Sequence, residues 1–471
     1  MIDNDIRQYA TLTTEDITMR YEQFSNKKAR IFYFSFIIIC VVCILMSIVS
    51  PESLVTYEQV FEKNEQNKIK FIKDLGKFEP LNQELIIESV LVNKFNSEIN
   101  QEVDFDLHIS GYDGSKWVKL EKYQEIKRSV ECKKKSNCTS EILVYEPFIK
   151  YHNYSIQLEV TPIKEDFFDK IYLRWIYFNS SFSILECLIR YFFLIITCVV
   201  IVLFTRTMSN IPWEFFTTEQ KWMLPMLFIL ILFNNPFFPL CLVESTWSFT
   251  ILDMIFLAIQ FCTMETFWLI IIDSYNYTKR QRTFRKFYLV KIIFISIFFL
   301  TISTILIWAQ VYEKNDAINK NLDTIPGFIF LMIISILCML IYLVWILILG
   351  FNGIFGAKSE RRKRKIVFMF WFILLNTLFM GVNFITGLIR RVNGSTEIFF
   401  TVFITINVYY LFLFYAFLPT PELISQIQKG YNLIDTTHNS YYDNYTNEKN
   451  KEPIIEEIPI TDDKNQNSSE N

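Results

Sequence analysis

The chain has 471 residues, 52% of them hydrophobic and 17% aromatic, with 46 basic against 49 acidic side chains. A net charge of −3 supplies no basic excess for nucleic acid, which is not among the expected partners. Apolar runs long enough to cross a bilayer recur along the sequence, and they exclude an ordinary soluble globular protein.

In chain order, eight segments supply the roughly 20 apolar residues that a membrane helix needs: 31–49, 188–204, 223–240, 249–272, 288–308, 328–349, 366–389 and 398–418. Arg20, Lys27, Lys28 and Arg30 precede the first and keep the N-terminus, residues 1–30, in the cytosol. Alternation then puts the loops after spans four and six on the same side. These loops carry Lys279, Arg280, Arg282, Arg285 and Lys286, then Lys358 and the run from Arg361 to Lys365. The first span reads as an uncleaved anchor at 31–49, because its apolar run is too long for a signal peptide and no small-residue cleavage site follows.

Residues 51–183 form the lumenal or extracellular part. Val103, Phe105, Leu107 and Ile109 alternate with Asp104, Asp106 and His108, and Tyr154, Ile156, Leu158 and Val160 alternate with Ser155, Gln157 and Glu159. Period-two alternation marks half-buried strands, and Gly111 to Gly114 reads as a hairpin turn before Trp117. With further strands at 142–145 and 171–178, the segment suits one β-sandwich. Sequons at Asn137, Asn153 and Asn179 are expected glycosylation sites, and Cys132 with Cys138 an expected disulfide in an oxidising lumen. Asp104, Asp106 and His108 share a strand face, which alternation alone produces, so no metal site is expected there.

None of the three histidines, His108, His152 and His438, lies in a span, and no nucleotide-binding or nucleophile-elbow motif occurs. The chain is therefore read as non-enzymatic and without a cofactor. Polar residues inside spans are costly and face a bundle interior or cavity. They are Asp253, Gln260 and Glu265 in span four, Asn376 and Asn383 in span seven, and Thr401, Thr405 and Asn407 in span eight. Asp253 and Gln260, seven apart, are expected to share a face, and Glu265 to point elsewhere. Two readings stand: a polar-lined cavity among spans four, seven and eight, or hydrogen bonding between helices. The prolines in Asn234-Asn235-Pro236-Phe237-Phe238-Pro239-Leu240 predict a broken helix at the lumenal end of span three.

That stretch, with Thr218-Glu219-Gln220-Lys221-Trp222 before it and Trp247 and Leu252-Asp253 after it, resembles the Wntless-related membrane proteins, most closely their transmembrane protein 181 branch. Phe414 to Pro419 resembles the way that branch closes its last span. The resemblance implies an anchor helix, a GOLD-like lumenal β-sandwich, and a seven-helix transmembrane domain at 186–418. It also implies a secretory-pathway protein of the Golgi, endosome or plasma membrane that escorts lumenal or extracellular protein cargo, as Wntless carries lipid-modified ligands. Residues 419–471 are polar and acidic, and read as a disordered cytosolic tail. There Tyr431 and Ile434 bound a tyrosine-type sorting signal for a clathrin adaptor, a pattern repeated at Tyr21 to Phe24. The competing functional class is a signalling receptor coupled to G proteins, although Asp273-Ser274-Tyr275-Asn276 stands where an acidic-Arg-Tyr stretch is expected. A lumenal transferase resting on Asp104 and Asp106 is the third.

Overall fold

A computed structural model describes residues 19–420, apart from 63–68, 96, 121–125, 135–136, 163–166, 210, 212, 214–215, 245–246, 278–281, 316–324, 358 and 391–398. The side chains of 69, 162, 169, 310, 313–315 and 380–390 are also outside the description, so Asn383, Tyr431 and Ile434 lie beyond it.

A 3-10 turn at Arg20–Gln23 precedes helix α1, Asn26–Val49, whose first turn is capped by the Ser25 hydroxyl accepting from the Lys28 amide at 3.3 Å. At 24 residues α1 is about 36 Å long, enough to cross the hydrocarbon layer. Among the described residues nine strands follow: β1 Leu54–Glu62, β2 Ile69–Leu75, β3 Leu85–Asn93, β4 Ile99–Tyr112, β5 Trp117–Leu120, β6 Ile126–Cys132, β7 Glu141–Glu146, β8 Asn153–Pro162 and β9 Phe168–Phe178. They make two antiparallel sheets, β1-β9-β3-β7 and β2-β8-β4-β5 with β6 also on β4. The alternating residues of β4 and β8 point inward: Val103, Phe105, Leu107, Ile156, Leu158 and Val160 are wholly buried between the sheets, with Ile87, Leu91, Leu143 and Leu173 of the other sheet opposite. The result is the expected β-sandwich.

The remaining helices are α2 Ser180–Met208, α3 Thr218–Asn234, α4 Phe238–Val243, α5 Trp247–Ser274, α6 Leu289–Asn315, α7 Pro326–Gly356, α8 Glu360–Arg390 and α9 Thr405–Phe417. A π-helical turn leads into α6 at Phe284–Tyr288, and another into α9 at Phe399–Ile404. Among the described residues, seven helical stretches are long and apolar enough to cross a membrane: α1, α2, α3 with α4, α5, Phe284–Ala309, α7 and Phe399–Phe417. Helix α8, at 31 residues, covers the remaining expected segment at 366–389. α2 starts eight residues ahead of the expected 188–204, because Asn179 caps it by accepting from the Ser181 amide at 3.0 Å.

Two opposite ends of the bundle are distinct. At one, the sandwich enters through adjacent strands, Leu54 of β1 pairing with Phe178 of β9 directly before α2. There the Gln83 amide donates to Ser183 Oγ at 3.1 Å, and the Ser183 hydroxyl donates to the Leu81 carbonyl at 2.9 Å. At the other end the described chain termini meet: the Arg20 amide donates to the Leu418 carbonyl at 3.0 Å, and Met19 bridges Pro419. The basic loops join them, with Arg282 donating to Thr218 Oγ1 at 2.9 Å and Arg361 to Glu22 Oε2 at 2.9 Å.

Candidate functional site: polar groups inside the bundle

The break after α3 is built by one residue. Asn235 takes the left-handed conformation, φ 47°, which Asn tolerates better than most side chains and which ends the helix before Pro236. Its Oδ1 accepts from the Phe237 amide at 3.0 Å, while its Nδ2 donates to Asp253 Oδ1 at 2.7 Å. The next turn, α4, begins with Phe238 and Pro239. Asn234 Nδ2 donates to Thr197 Oγ1 of α2 at 3.2 Å, and the Tyr191 hydroxyl donates to the Pro236 carbonyl at 3.0 Å.

Arg190 of α2 completes this region. Its guanidinium donates to Glu186 at 2.9 Å and to Asp253 at 3.4 Å, and lies over the rings of Phe238 at 4.0 Å and Phe403 at 4.8 Å. One cation thus serves two carboxylates in a place nearly closed to solvent. The sequence reading did not single out Glu186 or Arg190. The signal was present, since an acid and a base four apart inside an apolar helix are placed to pair. Asp253 thus faces α2 and the break, where Arg190 and Asn235 reach it. Seven residues bring Asp253 and Gln260 to nearly the same helix face, but the neighbours at the two heights differ, and the buried Arg190 charge holds the nearer carboxylate.

Halfway along the bundle, Gln260 and Glu265 of α5, Asn376 of α8 and Asn407 of α9 are all buried. Three of their oxygens make no hydrogen bond: Glu265 Oε2, Asn376 Oδ1 and Asn407 Oδ1. The Tyr410 hydroxyl lies beside the Gln260 amide, the Tyr409 hydroxyl beside Trp268, and Thr405 beside the Cys40 thiol, so these groups face one another in poor hydrogen-bond geometry. Asn407 Nδ2 donates one turn back to the Phe403 carbonyl at 3.0 Å, and Asn376 Nδ2 has only the Met264 sulfur at 3.8 Å. The Trp268 and Tyr409 rings meet edge to face with centroids 5.9 Å apart, joining α5 to α9. Glu265 leans toward α7, where the Tyr342 hydroxyl donates to its backbone carbonyl at 3.4 Å. A buried polar atom without a partner costs about 1–3 kcal/mol, so such a group is completed in a native protein by water or a bound molecule. A single sequence gives no sign that Trp268, Tyr409 and Tyr410 belong with the amides, because aromatic residues are the ordinary filling of an apolar core.

At the end away from the sandwich, the motif residue Glu219 accepts from the Tyr275 hydroxyl at 2.8 Å and from Lys365 at 3.0 Å. Lys365 also reaches Glu22 at 3.3 Å. Gln220 closes a capping box with Thr217 and donates to the Phe417 carbonyl at 3.1 Å, tying α3 to α9. Trp222 is partly buried against the bundle core. Asp273 of α5 pairs with buried Lys291 of α6 at 2.5 Å. Tyr21 is buried here, stacked on Phe368 at 5.0 Å, so the second tyrosine pattern is inaccessible in this conformation.

In the sandwich, Cys132 and Cys138 form a disulfide. Asn137 lies in that small loop, Asn153 opens β8 opposite Tyr112, and Asn179 is the cap of α2. Asp104, Asp106 and His108 stand on the outer face of β4, with His108 Nε2 3.7 Å from Asp106. Among the described residues no three His, Cys, Asp or Glu side chains gather as a metal site. In the β4–β5 turn, the Lys116 and Ser115 amides donate to Asp113 and hold its carboxyl at about 2, below the usual carboxylate range.

A family profile described as Wntless-like, transmembrane domain matches residues 179–421, just over half of the chain. The chain belongs to this Wntless-like family. It is also 25% identical to Transmembrane protein 181 of Homo sapiens over 349 residues, which are 73% of this chain and 72% of that relative. The Wntless-like region opens at the Asn179 cap and contains both the Asn235 break and the Glu219 cluster. Both therefore belong to the domain that defines this multi-pass membrane family.

Proposed function

We propose that this Wntless-like protein is a trafficking receptor or carrier that escorts lumenal or extracellular protein cargo through the secretory pathway. In this reading both termini are cytosolic, and the sandwich, read with the family as GOLD-like, faces the lumen. The observation that carries it is the group of buried, unpartnered polar atoms on α5, α8 and α9. A bundle needed only for anchoring gains nothing from retaining them. Their surroundings are aromatic and apolar, which also suits cargo bearing a lipid group. The chain is read as non-enzymatic, with membrane lipids, cargo and a clathrin adaptor at Tyr431 as its partners.

The test fuses a proximity label after Pro51 and identifies lumenal neighbours in wild type and in Gln260→Leu with Asn376→Leu. A soluble secreted neighbour lost in the variant, together with its failure to be secreted, is expected. The same neighbours and unchanged secretion in a normally folded variant would exclude the site. Tyr431→Ala should shift the protein toward the cell surface. Protease added to sealed vesicles with the cytoplasmic face outward should remove residues 440–471, and their protection would overturn the orientation.

The signalling receptor is the second reading. It draws on the Asp273–Lys291 and Glu219–Lys365–Glu22 pairs, which join helix ends on one face where a change of packing could be transmitted. Second messengers evoked by an added ligand would favour it over the carrier.

A further inference from the structure

Helices α1 and α8 pack in parallel with a constant register. The Tyr33 hydroxyl donates to the Phe368 carbonyl at 2.8 Å, and one turn on the Phe36 and Phe372 rings meet with centroids 5.3 Å apart. Extending that register one turn back brings Arg30 level with Arg364 and Lys365, and two turns back brings Lys27 level with Arg361.

The first turns of both helices are crowded with cations: Lys27, Lys28 and Arg30 on α1, and Arg361, Arg362, Lys363, Arg364 and Lys365 on α8. No acid stands in the first turn of α1. Cations are disfavoured at helix N-termini, where the backbone dipole is positive, so an anionic or carbonyl partner stabilises each. On α8 three have one. Arg361 and Lys365 reach Glu22, and Arg362 donates to the Tyr275 carbonyl. Five remain exposed without a carboxylate among the described residues: Lys27, Lys28, Arg30, Lys363 and Arg364. Arg30 has only the Asn26 carbonyl of its own helix, at 3.3 Å.

Immediately beyond these cations the surface becomes apolar. Tyr33 and Ile37 continue the Arg30 stripe on α1, and Trp371 continues the Arg364 stripe on α8. Ile37 is 42% and Trp371 55% exposed, on helices of 24 and 31 residues that are long enough to cross a membrane. Unneutralised cations standing directly above a lipid-facing apolar seam match one molecule in two parts, a charged head and a hydrocarbon tail.

We propose that the α1–α8 seam binds an anionic glycerophospholipid. The phosphate would lie between Arg30 and Arg364, and an acyl chain along Ile37 and Trp371. Through Arg361 and Lys365, the same helix ends hold the Glu22 strap that joins the described termini, so the lipid would stabilise that end of the bundle. The inference concerns the lipid and does not depend on the cargo reading.

The test uses the full chain in neutral detergent, titrated with dioleoyl-phosphatidylserine or dioleoyl-phosphatidylcholine and followed by native mass spectrometry and thermal melting. Phosphatidylserine should bind and raise the melting temperature, and phosphatidylcholine should do neither. In the double variant R30Q and R364Q, affinity for phosphatidylserine should fall about tenfold or more. R285Q with K286Q, which alters exposed cations elsewhere on the same face, should leave it within about twofold. Equal binding of the two lipids by wild type would overturn the proposal without any variant. An equal loss in both variants would also overturn it, since the attraction would then be diffuse. Binding seen only after removal of residues 421–471 would assign the cations to the acidic tail and would likewise exclude a resident lipid.

Discussion

Replacing Arg190 by Met tests whether the junction below the sandwich is held by charge. The guanidinium is the cation for two carboxylates, Glu186 at 2.9 Å and Asp253 at 3.4 Å, whose side chains are 13% and 18% exposed. Removing one member of a buried ion pair costs about 3–5 kcal/mol, because the remaining charge is left without compensation. Arg190→Met strands two such charges and also removes the contacts with Phe238 and Phe403. At about 2–4 °C per kcal/mol, the melting midpoint should drop by roughly 6–20 °C. The assay is the fraction of monodisperse protein remaining after heating in mild detergent, read by size-exclusion chromatography. Asp253→Asn should behave differently. It removes the surplus carboxylate while Arg190 keeps Glu186, so the stability should stay within about 1 kcal/mol of wild type. Adding Glu186→Gln and Asp253→Asn to Arg190→Met should recover more than half of the loss. If Arg190→Met melts within about 2 °C of wild type, or Asp253→Asn costs as much, electrostatic compensation is not what stabilises the junction.

Gly350 of α7 lies against the Phe370 ring, 2.3 Å from where a Cβ would stand, so Gly350→Ala should cost about 1–3 kcal/mol in the same heating assay. An unchanged midpoint would show that the ring gives way freely. Asp113 is held at about 2 by donated hydrogen bonds, so its folded carboxyl is more acidic than its unfolded one. Its contribution is present above the ordinary Asp range near 4 and is lost as the pH falls toward 2. The difference in melting temperature between wild type and Asp113→Asn should therefore shrink over that window, and a difference constant with pH would contradict it. Cys132 and Cys138 are six residues apart and close a small loop, so Cys132→Ser with Cys138→Ser should cost about 2 kcal/mol. Alkylation of the denatured wild type to the same mass with and without prior reduction would show that the bond is not formed.

The spans, the sandwich and the break after α3 are legible from the chain alone. Each depends on a local property: the summed hydropathy of about 20 residues, strict alternation in β4 and β8, or prolines that cannot donate. The motif from Glu219 to Asp253 likewise led to the family that the matched region defines. Partnership among polar groups was not legible. Asp253 and Gln260 look equivalent in sequence, yet one is held by Arg190 and Asn235, and the other lies beside the Tyr410 hydroxyl of α9. Glu219 reads as a surface acid at a helix start, but Lys365 and Tyr275 reach it from elements 146 and 56 residues away and bury it. Hydropathy adds along the chain, whereas a buried charge is stabilised by whichever helix lies opposite. Only the packing of the bundle decides which helix that is.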